Sequence, residues 1–317
     1  MKSKPAIKSL MAVIASAAVT LVSGQAFADP TYGFSQIGSE SGWRTSETNS
    51  IMAEAERRGI DLRFSDAQQR QENQIRALRS FIAQGVDGIL LAPVVETGWD
   101  QVLREAMRAD IPVVLIDRGV DADPSLYLTK VASDFEEEGA LAGSWLAAET
   151  NGNCDIVELQ GTVGSSAALD RKRGFDSLIS NFPNMTIIRS QSGDFTRSGG
   201  KEVMESFLRA ERGGENICAV FAHNDDMALG AIQAIKEANL KPAEDIIVVS
   251  IDAVPDIFKA MADGEANATI ELNPHLGGPA FDAIAAYRNG EQVEKWIKAN
   301  GPLYLPDTAA AEYEARK

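Results

Sequence analysis

Thr31-Tyr32-Gly33-Phe34-Ser35-Gln36-Ile37-Gly38-Ser39-Glu40-Ser41-Gly42-Trp43-Arg44 opens as a short apolar strand and runs through a glycine turn into the start of a helix. In an open α/β sheet such a loop lies at the carboxyl end of its strand, where ligands bind. It holds a carboxylate, a guanidinium, an indole and hydroxyls within ten residues. Carboxylates accept from vicinal hydroxyls, a guanidinium donates as a rigid fork, and an indole covers an apolar C–H face. That combination suits a polyhydroxylated ring, and the rest of the chain must supply the opposite wall.

The strand-to-helix unit recurs. Strands are expected at 31–36, 61–65, 88–92, 112–116 and 126–131, with helices from about 41 to Gly59, 69–84 ending at Gly85, and 97–109. The β-branched run Val113-Val114-Leu115-Ile116 is expected in a parallel sheet covered on both faces. The pattern then restarts. Asp134 can cap a helix whose first turn holds Glu136, Glu137 and Glu138, acids that a helix N-terminus favours. Strands follow at 155–160, 185–190, 219–222 and 246–251, with a helix at about 165–181. The tail reads as a strand at 268–272, a helix at about 274–289, a short strand at 303–305 and a polar C-terminus. The fold class is α/β: two doubly wound, parallel-sheet, Rossmann-like domains whose short crossings act as a hinge.

The first 28 residues stand apart from this pattern. Lys2, Lys4 and Lys8 precede an apolar run at 10–22, and Ala26-Phe27-Ala28 offers a small-x-small cleavage site. They read as a signal peptide, with Asp29 the first mature residue and the periplasm the destination. Losing its three lysines takes the formal charge from −16 to −19. So acidic a surface is a poor nucleic-acid partner. His223 and His275 are isolated, so neither a metal nor another cofactor is expected. Cys154 and Cys218 can be a disulfide or two buried thiols in an exported protein.

Polar residues gather at successive strand ends. Glu40, Trp43 and Arg44 follow the first strand, and Asp117 and Arg118 the fourth. In the second half Phe195, Asn224 and Asp252 hold equivalent places, and Arg171 lies on the first helix. Any one of them could be a helix cap or a core residue; their recurrence points to a shared cleft. Asp117, Asp252 and Glu40 could also be read as a glycosidase carboxylate pair. Neighbouring arginines would depress such acids and disfavour a general acid.

Three motifs carry a resemblance: Val114-Leu115-Ile116-Asp117-Arg118, Ala222-His223-Asn224-Asp225-Asp226-Met227-Ala228-Leu229-Gly230, and Ser250-Ile251-Asp252-Ala253-Val254-Pro255-Asp256. Through them the chain resembles the periplasmic sugar-binding proteins of ABC transporters, in the ribose/galactose branch of the type I binding-protein fold. The opening stretch, Glu158–Gly164 and Ser190–Arg197 narrow the resemblance to galactofuranose binders of enteric bacteria. It implies lobes of 29–131 plus about 273–292, and of 132–272 plus about 293–317. It implies that Asp117, Arg118, Arg171, Asn224 and Asp252 contact sugar hydroxyls, while the strand-end Phe195 can cover the apolar face of the ring. Ser35, Glu40, Ser41, Gly42, Trp43 and Arg44 would read the furanose and its side chain. Ribose binders carry aromatics in this first loop, and many relatives carry a glutamine where Asn273 stands. The family strand order 2-1-3-4-5 makes the strands opened by Cys154 and Cys218 neighbours, which implies a disulfide.

The expectation is therefore a monomeric, non-enzymatic periplasmic receptor that binds a monosaccharide, galactofuranose foremost, and delivers it to ABC permease subunits in the inner membrane. Arabinofuranose or a pyranose is the alternative within that class. A secreted glycosidase and a LacI-type regulator are the alternatives outside it, the latter disfavoured because a signal peptide stands where its helix-turn-helix would be.

Overall fold

The computed structural model describes Met1 and residues 30–317. The expected signal peptide and its cleavage site lie, Met1 aside, outside the described residues. The first sheet is built from β1 (Thr31–Gln36), β2 (Asp61–Asp66), β3 (Gly88–Leu91), β4 (Val113–Ile116) and β5 (Thr129–Ala132), alternating with α1 (Gly42–Arg58), α2 (Gln71–Gln84) and α3 (Asp100–Arg108). The chain crosses to a second sheet of β6 (Asn153–Gln160), β7 (Asn184–Ser192), β8 (Ala219–Ala222), β9 (Ile247–Asp252) and β10 (Ala268–Leu272). Here the intervening helices are α4 (Phe135–Glu149), α5 (Ser166–Ile179), α6 (Arg197–Ala210), α7 (Asp225–Glu237) and α8 (Pro255–Ala262). It then returns through α9 (Gly277–Arg288) to β11 (Trp296–Lys298), and crosses a third time to β12 (Asn300–Tyr304) and α10 (Pro306–Arg316).

The sheet orders are β11-β5-β4-β3-β1-β2 and β12-β10-β9-β8-β6-β7. Every pairing is parallel except β10 with β12. All four residues of β4 are buried, as a central parallel strand with helices on both faces requires. Three crossings between two separate sheets make a hinged pair of lobes, and the strand ends of both face the cleft between them.

The structure corrects several readings. The strand expected from Leu126 begins at Thr129, because Asp123 accepts from Ser125 N at 2.9 Å and caps a one-turn helix at Pro124–Leu126. The last return to the second lobe, expected near residue 292, lies between Lys298 and Asn300. Trp296–Lys298 pairs with β5, where Trp296 Nε1 donates to Ala132 O at 2.9 Å. The polar C-terminus forms α10, started by Pro306 at its first turn. Arg316 anchors it, donating to Glu271 at 2.7 Å and lying 5.0 Å above the Phe258 ring.

Cys154 and Cys218 form a disulfide with a Cα separation of 5.3 Å, bridging the starts of neighbouring strands. Glycine permits one close approach that shapes the cleft. A Cβ on Gly139 would sit 2.0 Å from Arg171 O, and one on Gly174 would sit 1.9 Å from Glu136 O. Only glycines let α4 and α5 touch backbone to backbone, and that contact delivers Glu138 to Arg171.

Candidate functional site

The lobes are closed on a narrow cavity of about 20 Å³. Glu40, Ser41, Trp43, Arg44, Asp117 and Arg118 form one wall; Ala167, Arg171, Phe195, Asn224, Asp252 and Leu272 form the other. Hydrogen bonds span the lobes around it. Trp43 Nε1 donates to Leu272 O at 2.5 Å, Gly42 N to Asp226 Oδ2 at 2.7 Å, and Gly119 N to Ser166 Oγ at 2.9 Å.

Arg44 organises the first wall. Ser41 caps α1 by accepting from Arg44 N at 3.1 Å, which fixes where the side chain starts. Its guanidinium donates to Glu40 at 3.1 Å, to Glu47 at 2.5 Å and to Asp117 at 2.6 Å. Asp117 reaches it from a backbone with φ of 62°, a left-handed conformation unusual outside glycine and common at functional sites. Burial opposes the charge on Arg44, but Asp117, Glu47 and Glu40 outweigh it and hold the guanidinium well above its ordinary range. Arg118 has no such surplus of acids. Burial and the positive charge of Arg44 lower it to about 10. It donates to Val94 O at 3.1 Å and lies 5.0 Å over the Phe195 ring.

The second wall is held from behind. Arg171 donates to Glu138 at 2.9 Å and to His223 O at 2.6 Å, and stacks 5.0 Å over Phe135. Phe195, with φ of 60°, lays its ring on Gly161, where an added Cβ would come within 1.9 Å of it. Asn224 caps α7 by accepting from Met227 N at 3.0 Å and donates to Phe195 O at 3.2 Å. Asp252 is 3.9 Å from Arg171 Nη2. Burial pushes its carboxyl well above the usual range, Arg171 opposing and Asp225 adding.

Glu40 Oε2, Asp117 Oδ1, Arg118 Nε and Arg171 Nη2 are buried with no hydrogen-bond partner among the described residues. Buried polar atoms are normally paired. Two acceptors and two donors therefore belong to residues lining a cavity that Trp43 and Phe195 also line, a set that complements a small polyol ring.

Ten of the expected positions line this cavity: Glu40, Ser41, Trp43, Arg44, Asp117, Arg118, Arg171, Phe195, Asn224 and Asp252. Three lie off it. Ser35 is buried inside β1. Gly42 turns its amide to Asp226. Asn273 uses its side-chain oxygen to accept from His275 N at 2.9 Å. Glu47 and Glu138 went unforeseen. Both are fully buried carboxyls that brace an arginine, and burial, only partly offset by that arginine, raises each to about 7.

A family model for the periplasmic binding protein domain matches residues 32–292. The chain belongs to the periplasmic binding protein family. This is a family of binding proteins rather than enzymes. Among its members, the galactofuranose-binding protein YtfQ of Escherichia coli is 61% identical over 96% of this chain and 97% of its own length. The periplasmic binding protein of the arabinose ABC transporter from Shewanella sp. ANA-3, solved with α- and β-L-arabinofuranose, is 63% identical with a TM-score of 0.89, over 90% of this chain and 95% of that one. A solved galactofuranose-binding protein is 62% identical with a TM-score of 0.89, over 90% of this chain and 98% of that one. The two-lobe α/β architecture with mostly parallel sheets is that of these neighbours.

Proposed function

We propose that this binding protein is the periplasmic receptor of an ABC sugar importer, closing residues 30–132 with 273–298 and residues 133–272 with 299–317 on an aldofuranose. The unpartnered buried atoms of Glu40, Asp117, Arg118 and Arg171 carry the reading, since a ring bearing several hydroxyls satisfies both donors and acceptors at once. Trp43 and Phe195 cover the ring faces, Asn224 and Asp252 take the remaining hydroxyls, and the closed form is what the membrane permease meets. Closure follows from contacts that a ligand makes to both lobes together. The N-terminal leader takes the chain to the periplasm.

Galactofuranose is the ligand proposed, with L-arabinofuranose next. The two share ring configuration and differ by one exocyclic hydroxymethylene unit. Relatives of nearly equal identity are described with one or the other. Choice between them rests on room beyond the ring. Calorimetric titration of the mature protein with D-galactose, L-arabinose and methyl glycosides locked as furanosides or pyranosides tests the reading. Stoichiometric binding of furanosides supports it. Binding confined to pyranosides, or turnover of a furanoside, overturns it.

A further inference from the structure

Helix α1 begins in one lobe with its first amide unmatched by its own turn, as every helix does. That amide, Gly42 N, donates at 2.7 Å to Oδ2 of Asp226, the second residue of α7 in the other lobe. Asp226 is buried, yet it does not line the cavity. Its other oxygen is held by Arg197 Nε at 3.1 Å, and Arg197 is itself tied to Asp256 at 2.9 Å. The carboxylate is thus fixed within its own lobe and aimed at the positive end of a helix in the opposite one.

We propose that Asp226 is a positioning residue: it caps α1 across the cleft and latches the closed state without touching the sugar. The bond joins the start of α1, which carries Trp43 and Arg44, to the start of α7, which follows Asn224. Closing the lobes makes it and opening them breaks it, so it adds a ligand-independent bias toward closure. A sugar that binds the closed state has an apparent affinity scaled by the closed fraction. Loss of the latch therefore weakens every sugar by the same factor and leaves the preference among sugars unchanged. A charge-assisted bond to a partly buried helix N-terminus sets that factor at about 10-fold.

The inference rests on the receptor reading for its binding arm, and the experiment separates the two. Asp226→Asn removes the charge and keeps the shape; Arg197→Ala frees the carboxylate from a half-exposed position, and guards against misfolding of the first variant. Small-angle scattering without sugar and dissociation constants for D-galactose and L-arabinose are measured on each. The expected result is that both constants rise in equal proportion in Asp226→Asn, by up to about 10-fold, and rise less in Arg197→Ala, with the sugar-free chain less compact in proportion to the closed fraction it loses. Unchanged scattering and constants overturn the latch. Constants that shift by different factors for the two sugars also overturn it, since they make Asp226 a ligand contact. If the unaltered chain bound no sugar the receptor reading would fall, and the scattering of the variants against it would still decide the latch.

Discussion

Replacing Glu138 tests whether the cleft depends on carboxyls outside it. Glu138 is buried, receives Arg171 Nε at 2.9 Å, and is itself outside the cavity wall. Glu138→Ala leaves a buried guanidinium with one hydrogen-bond acceptor, His223 O, and Asp252 at 3.9 Å. Breaking a buried ion pair this way costs ~3–5 kcal/mol of stability. With Arg171 free to turn, sugar affinity should fall by one charged hydrogen bond, ~1.5–3 kcal/mol or roughly 10- to 100-fold. Glu138→Gln is more discriminating, because it keeps the acceptor and removes the charge. Burial raises Glu138 to about 7, so near pH 5 the native side chain is already mostly protonated and resembles the amide. The affinity gap between Glu138→Gln and the native protein should thus be small near pH 5 and open to about fivefold near pH 8.5, above that value. Calorimetric titration at both pH values reads it. A gap of equal size at both, or native affinity in Glu138→Ala, would refute the bracing role.

Trp43→Phe keeps a ring over the sugar but leaves Leu272 O, now bonded at 2.5 Å, without its partner; affinity should drop by ~1–3 kcal/mol, measured by calorimetry. Reducing Cys154–Cys218, which closes a span of 64 residues, should cost about 4 kcal/mol of stability in the second lobe, read as a lower melting temperature in reductant. Glu47, Glu138 and Asp225 are each raised to about 7, with burial the leading cause. A folded-state value above the unfolded one gives stability that is complete below the unfolded value and lost as pH rises through the folded one. Sugar-free protein should therefore lose about 2–3 kcal/mol between about pH 6.5 and pH 8.5, a window in which only a small remainder of the opposing effect of His223, whose burial lowers its value, still acts. Denaturant melts across that window check the sign, and rising stability would contradict it.

The walls of the cleft were legible because parallel sheets collect polar side chains at one edge, so Asp117, Asn224 and Asp252 announce themselves by position alone. The braces were not. Glu138 sits beside Glu136 and Glu137 in a first helical turn where acids are ordinary, and only the glycine contact between α4 and α5 separates it from its exposed neighbours. Glu47 lies one turn beyond Arg44 and looks like a surface pair until Gln36 and the sheet enclose it. Asn273 shows the reverse: the family position was recognisable, but its side chain closes a local turn. β11 was invisible as three residues between lysines, Lys295 and Lys298 bracketing the one apolar pair. α10 was hidden by its alanines, whose buried face carries little apolar bulk. Each miss is a tertiary contact overriding a weak local signal.

The ring form of the bound sugar tests the central claim most directly. Carbon-13 spectra of D-galactose or L-arabinose labelled at the anomeric carbon, recorded with excess mature protein, distinguish furanose from pyranose, because the furanose anomeric carbon resonates downfield. The protein-bound signal should be that of the furanose, enriched far beyond its minor share in solution. A bound pyranose signal would contradict it.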